Sequence, residues 1–366
     1  ATELVELGVR GGRVALVCGN SIEMCIALFA LHAAGAQAVP INPIYTAREM
    51  THILKDSNPA AVIYDEESAN IVAPLLAEIG IANGILVGGK EGPLLDTWRN
   101  DESTTLPGPL PGPDDFATLQ YTGGTTGLPK GVNITHGQMS VNISQREAVL
   151  PTRPDNETVI CIMPLFHVFA SSMCLHLTAY CRGRLVILPR YHPAQVLSII
   201  ENEKITRLPA GPTVFNGLMG YEGFEGRDFS SLITAYSGSA PLPEETLKRW
   251  QELTGCPILE GYGQSEAGPV LTYIGEGEEI RPGSVGKPIP ETEVQIVDVE
   301  TGNNILGPRE QGEIRARGPQ IMSGYRNRPE ETAETLRDGW LYTGDIGEFD
   351  DDGDLFIRYR KKDMAI

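Results

Sequence analysis

The chain is predicted to be an α/β protein built from two successive strand–helix series, each making a mainly parallel sheet, with a small antiparallel β unit after them. Three observations predict this. Short apolar runs alternate with helix-length segments over residues 14–87 and again over 159–260, the pattern of parallel strands covered by helices on both faces. After about residue 275, short strands are separated by Gly, Pro and Asp turns, as in a small antiparallel sheet or open barrel. The length of 366 residues suits two or three compact units at roughly 150 residues each.

A short helix over 2–7 leads to a strand at 14–18, a helix at 22–33 and a strand at 38–41. The next helix opens at Thr46-Ala47-Arg48-Glu49, a Thr-x-x-Glu capping box. A strand at 61–64, a helix at 68–79 and a strand at 85–87 complete the first series. Residues 106–113 read LPGPLPGP, a rigid connection. A strand at 116–121 precedes a Gly/Thr-rich loop. The second series has strands at 159–163, 184–188, 205–208, 232–237 and 258–260, with helices at 168–180, 193–203 and 243–253. The last unit has strands at 284–287, 293–298, 312–316 and 354–357.

The formal charge of -19 opposes binding to nucleic-acid phosphates. An anionic nucleotide would have to be held by local backbone amides, a few cations and a metal ion. Cys18, Cys25, Cys161, Cys174, Cys181 and Cys256 form no CxxC pair and sit mostly in apolar runs, so free thiols of a reducing compartment are expected. No signal peptide is visible. The most apolar stretch, 24–41, is broken by His32, Gly35, Gln37 and Pro40 and reads as a core helix and strand, not a membrane span. Both ends are abrupt, so further chain is expected beyond each.

Residues 118–131 read TLQYTGGTTGLPKG. Gly123, Gly124 and Gly127 let the backbone turn N–H groups inward; Thr122, Thr125 and Thr126 add neutral donors and Lys130 a positive charge. That donor density suits a polyphosphate better than a plain turn. A Walker A loop is excluded, because Pro129-Lys130-Gly131 replaces Gly-Lys-Ser/Thr, and no GxGxxG follows the first strand. After the strand at 258–260, Gly261-Tyr262-Gly263-Gln264-Ser265-Glu266 offers a ring to stack on a purine, a hydroxyl for a phosphate oxygen and a carboxylate for Mg²⁺. Asp345, in Tyr342-Thr343-Gly344-Asp345, can accept from two ribose hydroxyls. Taken alone, the Asp345 segment reads more readily as an Asp-containing turn before Ile346.

YTGGTTGLPKG resembles the signature loop of the adenylate-forming superfamily, which includes acyl-CoA synthetases, luciferase-like enzymes and peptide-synthetase adenylation domains. The opening section VALVCGNSIEMCIALFALHAAGAQAVPINPIYTAREMTHIL and the later motifs PLFHVFA, SGSAPL, GYGQSEAG, GSVGKPIP, YTGDIG and RKKDM are similar to the family's motifs in the same order. The resemblance implies two doubly wound, mainly parallel sheets packed together (αβαβα) plus a small distorted antiparallel β-barrel. Subdomains are expected at 1–155, 156–275 and 276–357, with 358–366 a hinge to an absent C-terminal domain.

Carried over residue by residue, the resemblance assigns ATP to Thr122, Gly123, Gly124, Thr125, Thr126, Gly127 and Lys130, to Gly238, Ser239, Ala240 and Pro241, to Glu260, Gly261, Tyr262, Gly263, Gln264 and Ser265, and to Asp345, Ile357 and Arg360. Tyr262 takes the adenine, Ser265 the α-phosphate, and Asp345 with Arg360 the ribose. Glu266 and Thr126 take the metal. Lys130, His167, Glu266 and Thr126 are the catalytic candidates, His167 shaping the site. Phe166, His167, Val168, Phe169, Gly211, Thr213, Gly238 and Gly263 are expected to line the acyl pocket, the small residues leaving room. Lys362 is the hinge, whereas His136 and His192 read as structural or surface residues. Ser265 stands where many relatives have Thr, and Tyr359 where they have Gly or Asp.

The implied reaction has two steps: a carboxylic acid attacks the α-phosphorus of ATP, giving acyl-AMP and pyrophosphate, and the thiol of coenzyme A then takes the acyl group. A medium- or long-chain fatty acid is the expected substrate, with ATP, Mg²⁺ and coenzyme A required. Without the mobile domain, turnover is expected to be slow. Alternatives are an aryl or coumarate-type ligase, a carrier-protein acceptor, and a non-catalytic nucleotide-binding module. The cysteine pattern suits a cytoplasmic protein, with peripheral membrane association and a homodimer left open.

Overall fold

A computed structural model describes residues 1–88, 98, 105–123 and 128–363. The chain divides into two compact units: residues 1–140, 164–168 and 322–332 form the first, and 141–163, 169–321 and 333–366 the second.

In the first unit, α1 (Thr2–Glu6), β1 (Arg13–Val17), α2 (Ile22–Ala33), β2 (Gln37–Pro40), α3 (Ala47–Ser57), β3 (Ala61–Asp65), α4 (Glu66–Ile79) and β4 (Gly84–Val87) alternate as the sequence predicts. Ser21 caps α2. The Thr46 box holds α3, with Glu49 Oε2 accepting from the Thr46 N–H at 2.8 Å. These strands join β5 (Phe116–Thr122), β6 (Lys130–Thr135) and β16 (Gly324–Tyr325) in the order β16-β6-β5-β2-β1-β3-β4. Pairing is parallel from β5 to β4, and antiparallel at β5–β6 and β6–β16. Val17, Val39, Ile53, Val62 and Leu119 are among the buried side chains of its core.

The second unit repeats the plan. Parallel strands β7 (Thr158–Cys161), β8 (Arg184–Ile187), β9 (Arg207–Ala210), β10 (Thr234–Ser237) and β11 (Ile258–Gly263) end on an antiparallel edge of β12 (Val270–Tyr273) and β13 (Lys287–Pro288), in the order β13-β12-β11-β10-β9-β7-β8. Helices α8 (Pro193–Asn202), α9 (Pro212–Met219) and α10 (Glu244–Thr254) connect strands, and Phe215, Leu218, Leu247 and Trp250 bury one core. On the chain between β6 and β7 lies α5 (His136–Val149), whose first turn belongs to the first unit and the rest to the second. The helix predicted at 168–180 is α6 (Val168–Ala170), a π-wound stretch Ser171–His176 and α7 (Leu177–Tyr180).

The late strands β14 (Glu293–Val297), β15 (Gly312–Arg317), β17 (Leu336–Arg337), β18 (Trp340–Phe349) and β19 (Leu355–Arg360) form an antiparallel sheet, with α11 (Pro329–Thr335) before β17. The predicted fold class, two mainly parallel sheets plus a small antiparallel one, is therefore observed. The strand predicted at 284–287 shrinks to β13 and a single bridge from Ser284 to Phe356. Its Gly283 and Gly286 lie at positive φ, which breaks a continuous ladder. None of the six cysteines, all among the described residues, forms a disulfide. Among the described residues, no helix is long and apolar enough to cross a membrane.

Candidate active site

In each main sheet the signature motif sits where pairing turns antiparallel. In the first unit, β5 and β6 form a hairpin whose last pair is Thr122 with Lys130. Gly123 begins its loop, while Gly124, Thr125, Thr126 and Gly127 lie outside the described residues. The loop's return is tied by the His52 ring nitrogen, 3.1 Å from the Pro129 carbonyl oxygen. The Lys130 ammonium lies 4.3 Å from the centre of the Tyr325 ring, a cation–π contact that fixes a flexible side chain. Arg326, next to Tyr325, donates to the Asp56 carbonyl at 2.7 Å, and the Tyr121 hydroxyl donates to the Asp56 carboxylate at 2.5 Å. Tyr325 lacks a sequence signal because β16 is only two residues long.

The Pro164–Val168 turn also belongs to the first unit. Asn20 Oδ1 accepts from the Leu165 N–H at 2.7 Å, and Gln120 Nε2 donates to the Phe166 carbonyl at 2.9 Å. These two side chains, absent from the sequence-based set, fix the turn that presents His167. Partial desolvation pushes the His167 imidazole below its ordinary pKa, favouring the neutral ring.

In the second unit, β10 ends at Ser237 and runs into Gly238, which is buried, and Ser239, Ala240 and Pro241, which are exposed. Ser239 takes φ 69°, a left-handed conformation unusual outside glycine. β11 extends beyond the predicted Glu260 to Gly263, with a register shift at Tyr262/Gly263. Gln264 and a single tight turn, Ser265–Ala267, follow, and Glu266 is buried there. The Tyr262 hydroxyl donates to Asp345 Oδ2 at 2.7 Å, and Arg360 Nε lies 2.8 Å from Asp345 Oδ1. β18 supplies Asp345 and β19 supplies Arg360, paired opposite each other. Each carboxylate oxygen keeps a further acceptor site, so ribose hydroxyls can join these partners. Ile357 lies on β19, part of the same small core as Val285 and Ile314. Lys362 lies in the tight turn Lys361–Asp363 and is exposed.

The acyl-pocket set divides as Phe166, His167 and Val168 in the first unit and Phe169, Gly211, Thr213, Gly238 and Gly263 in the second. The space beside the small residues differs from the expectation. A Cβ on Gly211 would meet nothing within 4 Å, but one on Gly238 would lie 3.0 Å from the Phe169 ring and one on Gly263 would lie 1.9 Å from the Pro269 carbonyl oxygen. Gly263 therefore lets the β11–β12 hairpin close at its bulge instead of leaving room. Thr213 is exposed in the first turn of α9. His136 packs edge-on against His32, and His192 is an exposed cap of α8.

Burial raises the Asp345 carboxyl above its usual range, against the Tyr262 hydrogen bond and Arg360, which pull it down. Burial also pushes Glu260 up to about 7, although its Oε2 accepts from the Leu242 N–H at 3.1 Å. No group of three His, Cys, Asp or Glu side chains able to hold a metal occurs among the described residues. One buried carboxylate, Glu266, fits Mg²⁺ carried chiefly by phosphate oxygens and water; Thr126, its proposed companion, lies outside the described residues.

A long-chain-fatty-acid–CoA ligase of Bacillus subtilis (strain 168) is 34% identical over 387 residues, covering 98% of this chain and 69% of that protein. The structure of an anthranilate CoA ligase, AuaEII, in complex with anthranoyl-AMP superposes with a TM-score of 0.93 at 29% identity, covering 99% of this chain and 71% of that one. ATP-bound MatB from Rhodopseudomonas palustris gives a TM-score of 0.90 at 28% identity, covering 100% and 72%. The sequence profile described as AMP-binding enzyme matches residues 1–326. The motif resemblance is thereby borne out: the chain belongs to the AMP-binding enzyme family, a family of AMP-forming ligases.

Proposed function

We propose that this protein activates a carboxylic acid, a medium- or long-chain fatty acid, as its acyl-AMP and passes the acyl group to coenzyme A. The observation that carries this reading is the Tyr262–Asp345–Arg360 cluster, an aromatic ring bonded to a buried carboxylate that is itself paired with a guanidinium. A ribose needs an acceptor such as Asp345, and a purine a flat apolar surface such as the Tyr262 ring. In this reading Lys130, steadied by Tyr325, meets the charge that builds on the phosphate oxygens, the largest barrier to attack by an anionic acid. Mg²⁺, when bound, supplies further charge neutralisation, and Glu266 holds it. Neutral His167, fixed by its tethered turn, orients the incoming carboxylate without adding a competing proton. Positioning and electrostatics carry the reaction; no covalent enzyme nucleophile is involved.

The fatty acid is supported by the name of the Bacillus subtilis relative. An aryl acid is a second reading, favoured by the anthranilate ligase. Titration calorimetry with MgATP, followed by acid-dependent pyrophosphate exchange over fatty and aromatic acids, tests the assignment. Nucleotide binding with fatty-acid-dependent exchange is expected. Exchange with aromatic acids alone replaces the acid; nucleotide binding without exchange by any acid leaves a non-catalytic module; no nucleotide binding overturns the reading. Product analysis with coenzyme A present and absent tests the acceptor.

A further inference from the structure

Arg146 is 1% exposed in the second unit, on α5. Its Nη1 donates to the Ser172 carbonyl at 2.9 Å and the Ser172 hydroxyl at 2.8 Å, and lies 3.3 Å from the Met173 sulfur. Among the described residues, Nε and Nη2 have no hydrogen-bond partner. No carboxylate among the described residues lies within ion-pair distance of this guanidinium. The unit's other buried arginine, Arg207, also leaves its Nε unpartnered among the described residues, but it has a counter-ion: it pairs with Glu157 at 2.9 Å and donates to the Tyr236 hydroxyl and the Pro151 carbonyl. Glu147 follows Arg146 in sequence and acts on it electrostatically, with its Oε1 accepting from Thr152 and its Oε2 unpartnered among the described residues, but it makes no ion pair with the guanidinium. A buried guanidinium without a counter-ion is strongly unfavourable.

The unused atoms are the informative ones. Nε–H and the neighbouring Nη2–H form the side edge of the guanidinium plane, the fork that receives both oxygens of a carboxylate. A second group lies within electrostatic reach: the Tyr273 hydroxyl, 3% exposed, has no hydrogen-bond partner among the described residues. Both groups adjoin an apolar cluster that includes Phe169, one of the residues expected to line the acyl pocket. Phe169, Met173, Tyr236 and Tyr273 belong to one apolar cluster, and Ser172 and Met173 stand about one turn beyond Phe169 on the same helical stretch, roughly 5 Å along its axis. That turn is π-wound, a winding frequent at functional sites.

We propose that Arg146 receives a second carboxylate at the far end of the substrate, so that the acid activated is an ω-carboxy acid, with Tyr273 donating to the same group. This rests on the acid-activating reading above and refines its substrate from a simple fatty acid to a dicarboxylic one. Binding of the distal carboxylate would supply a counter-ion that none of the described residues provides, and an alkyl end would leave the charge unpaired.

The test is pyrophosphate exchange by the full chain with pairs of monocarboxylic and α,ω-dicarboxylic acids of equal length across a series. The expected result is a kcat/KM at least tenfold higher for the diacid than its monoacid partner at one or more lengths. Arg146→Met should erase that ratio, and Tyr273→Phe should reduce it. Preference for the monoacid at every length overturns the inference and leaves acid activation standing. Absence of exchange with all acids overturns the acid-activating reading as well. Should Arg146→Met fail to fold, Arg146→Gln serves, and the parent's own ratio decides independently of either variant.

Discussion

Glu260→Gln isolates a buried charge beside the nucleotide motif. Glu260 is 4% exposed at the end of a parallel strand, where water cannot solvate its anion. Burial therefore raises its pKa from 4.5 to about 7, and the single N–H donated by Leu242 offsets only part of that. Between those two values the folded protein keeps a proton that the unfolded chain releases. Stability consequently falls as pH rises through this window, and the loss is complete above the folded value. Glutamine has no proton to lose and can still accept from Leu242. Relative to the parent, Glu260→Gln should gain about 2.5 kcal/mol of stability between pH 5 and pH 8. The assay is chemical denaturation followed by the emission of Trp250, which shares a buried cluster with Leu242, in a background with Trp98 and Trp340 replaced by Phe. Parallel stability curves for parent and variant would refute the claim that Glu260 is held protonated.

Tyr325→Leu removes the ring under Lys130; KM for ATP in pyrophosphate exchange should rise two- to fivefold, consistent with a contact worth about 0.5–1 kcal/mol, and an unchanged KM would count against the anchor. Gly263→Ala places a methyl 1.9 Å from the Pro269 oxygen, so the hairpin must open; a melting temperature within 1 °C of the parent, where a fall of roughly 5 °C or more is expected, would contradict the close approach. Tyr262→Phe deletes a hydrogen bond that lowers the Asp345 pKa. If ionised Asp345 accepts from the ribose, the pH at which nucleotide binding reaches half its maximum should move upward, and calorimetry across a pH series reads the shift.

Local patterns made much of the fold legible. The helix at 22–33 is found with the bounds expected, because Ser21 caps its start and an apolar run of helix length follows. The box at Thr46–Glu49 marked the start of α3 for the same kind of reason: its two partners are three residues apart. By contrast, β6 and α5 were missed, since Asn133, Thr135 and Gln138 interrupt apolar periodicity there and pairing with β5 and β16 decides the conformation. The π-winding of Ser171–His176 has no local signature either. It exposes a carbonyl to Arg146, whose place is set by a helix far away in sequence.

The sequence by itself determined the chemistry available: a Gly/Thr/Lys loop for phosphates, a Tyr-bearing strand end for a purine and an isolated Asp for a ribose. Those capacities belong to residue types at short spacing, so they can be read from the chain. Tertiary structure alone decided which groups meet. It joined Tyr262 to Asp345 across 83 positions, seated Lys130 on Tyr325 and left one edge of the buried Arg146 without a partner among the described residues. Hydrogen bonds and ion pairs of that kind depend on burial and on contacts between strands distant in sequence, which no local pattern of residues encodes.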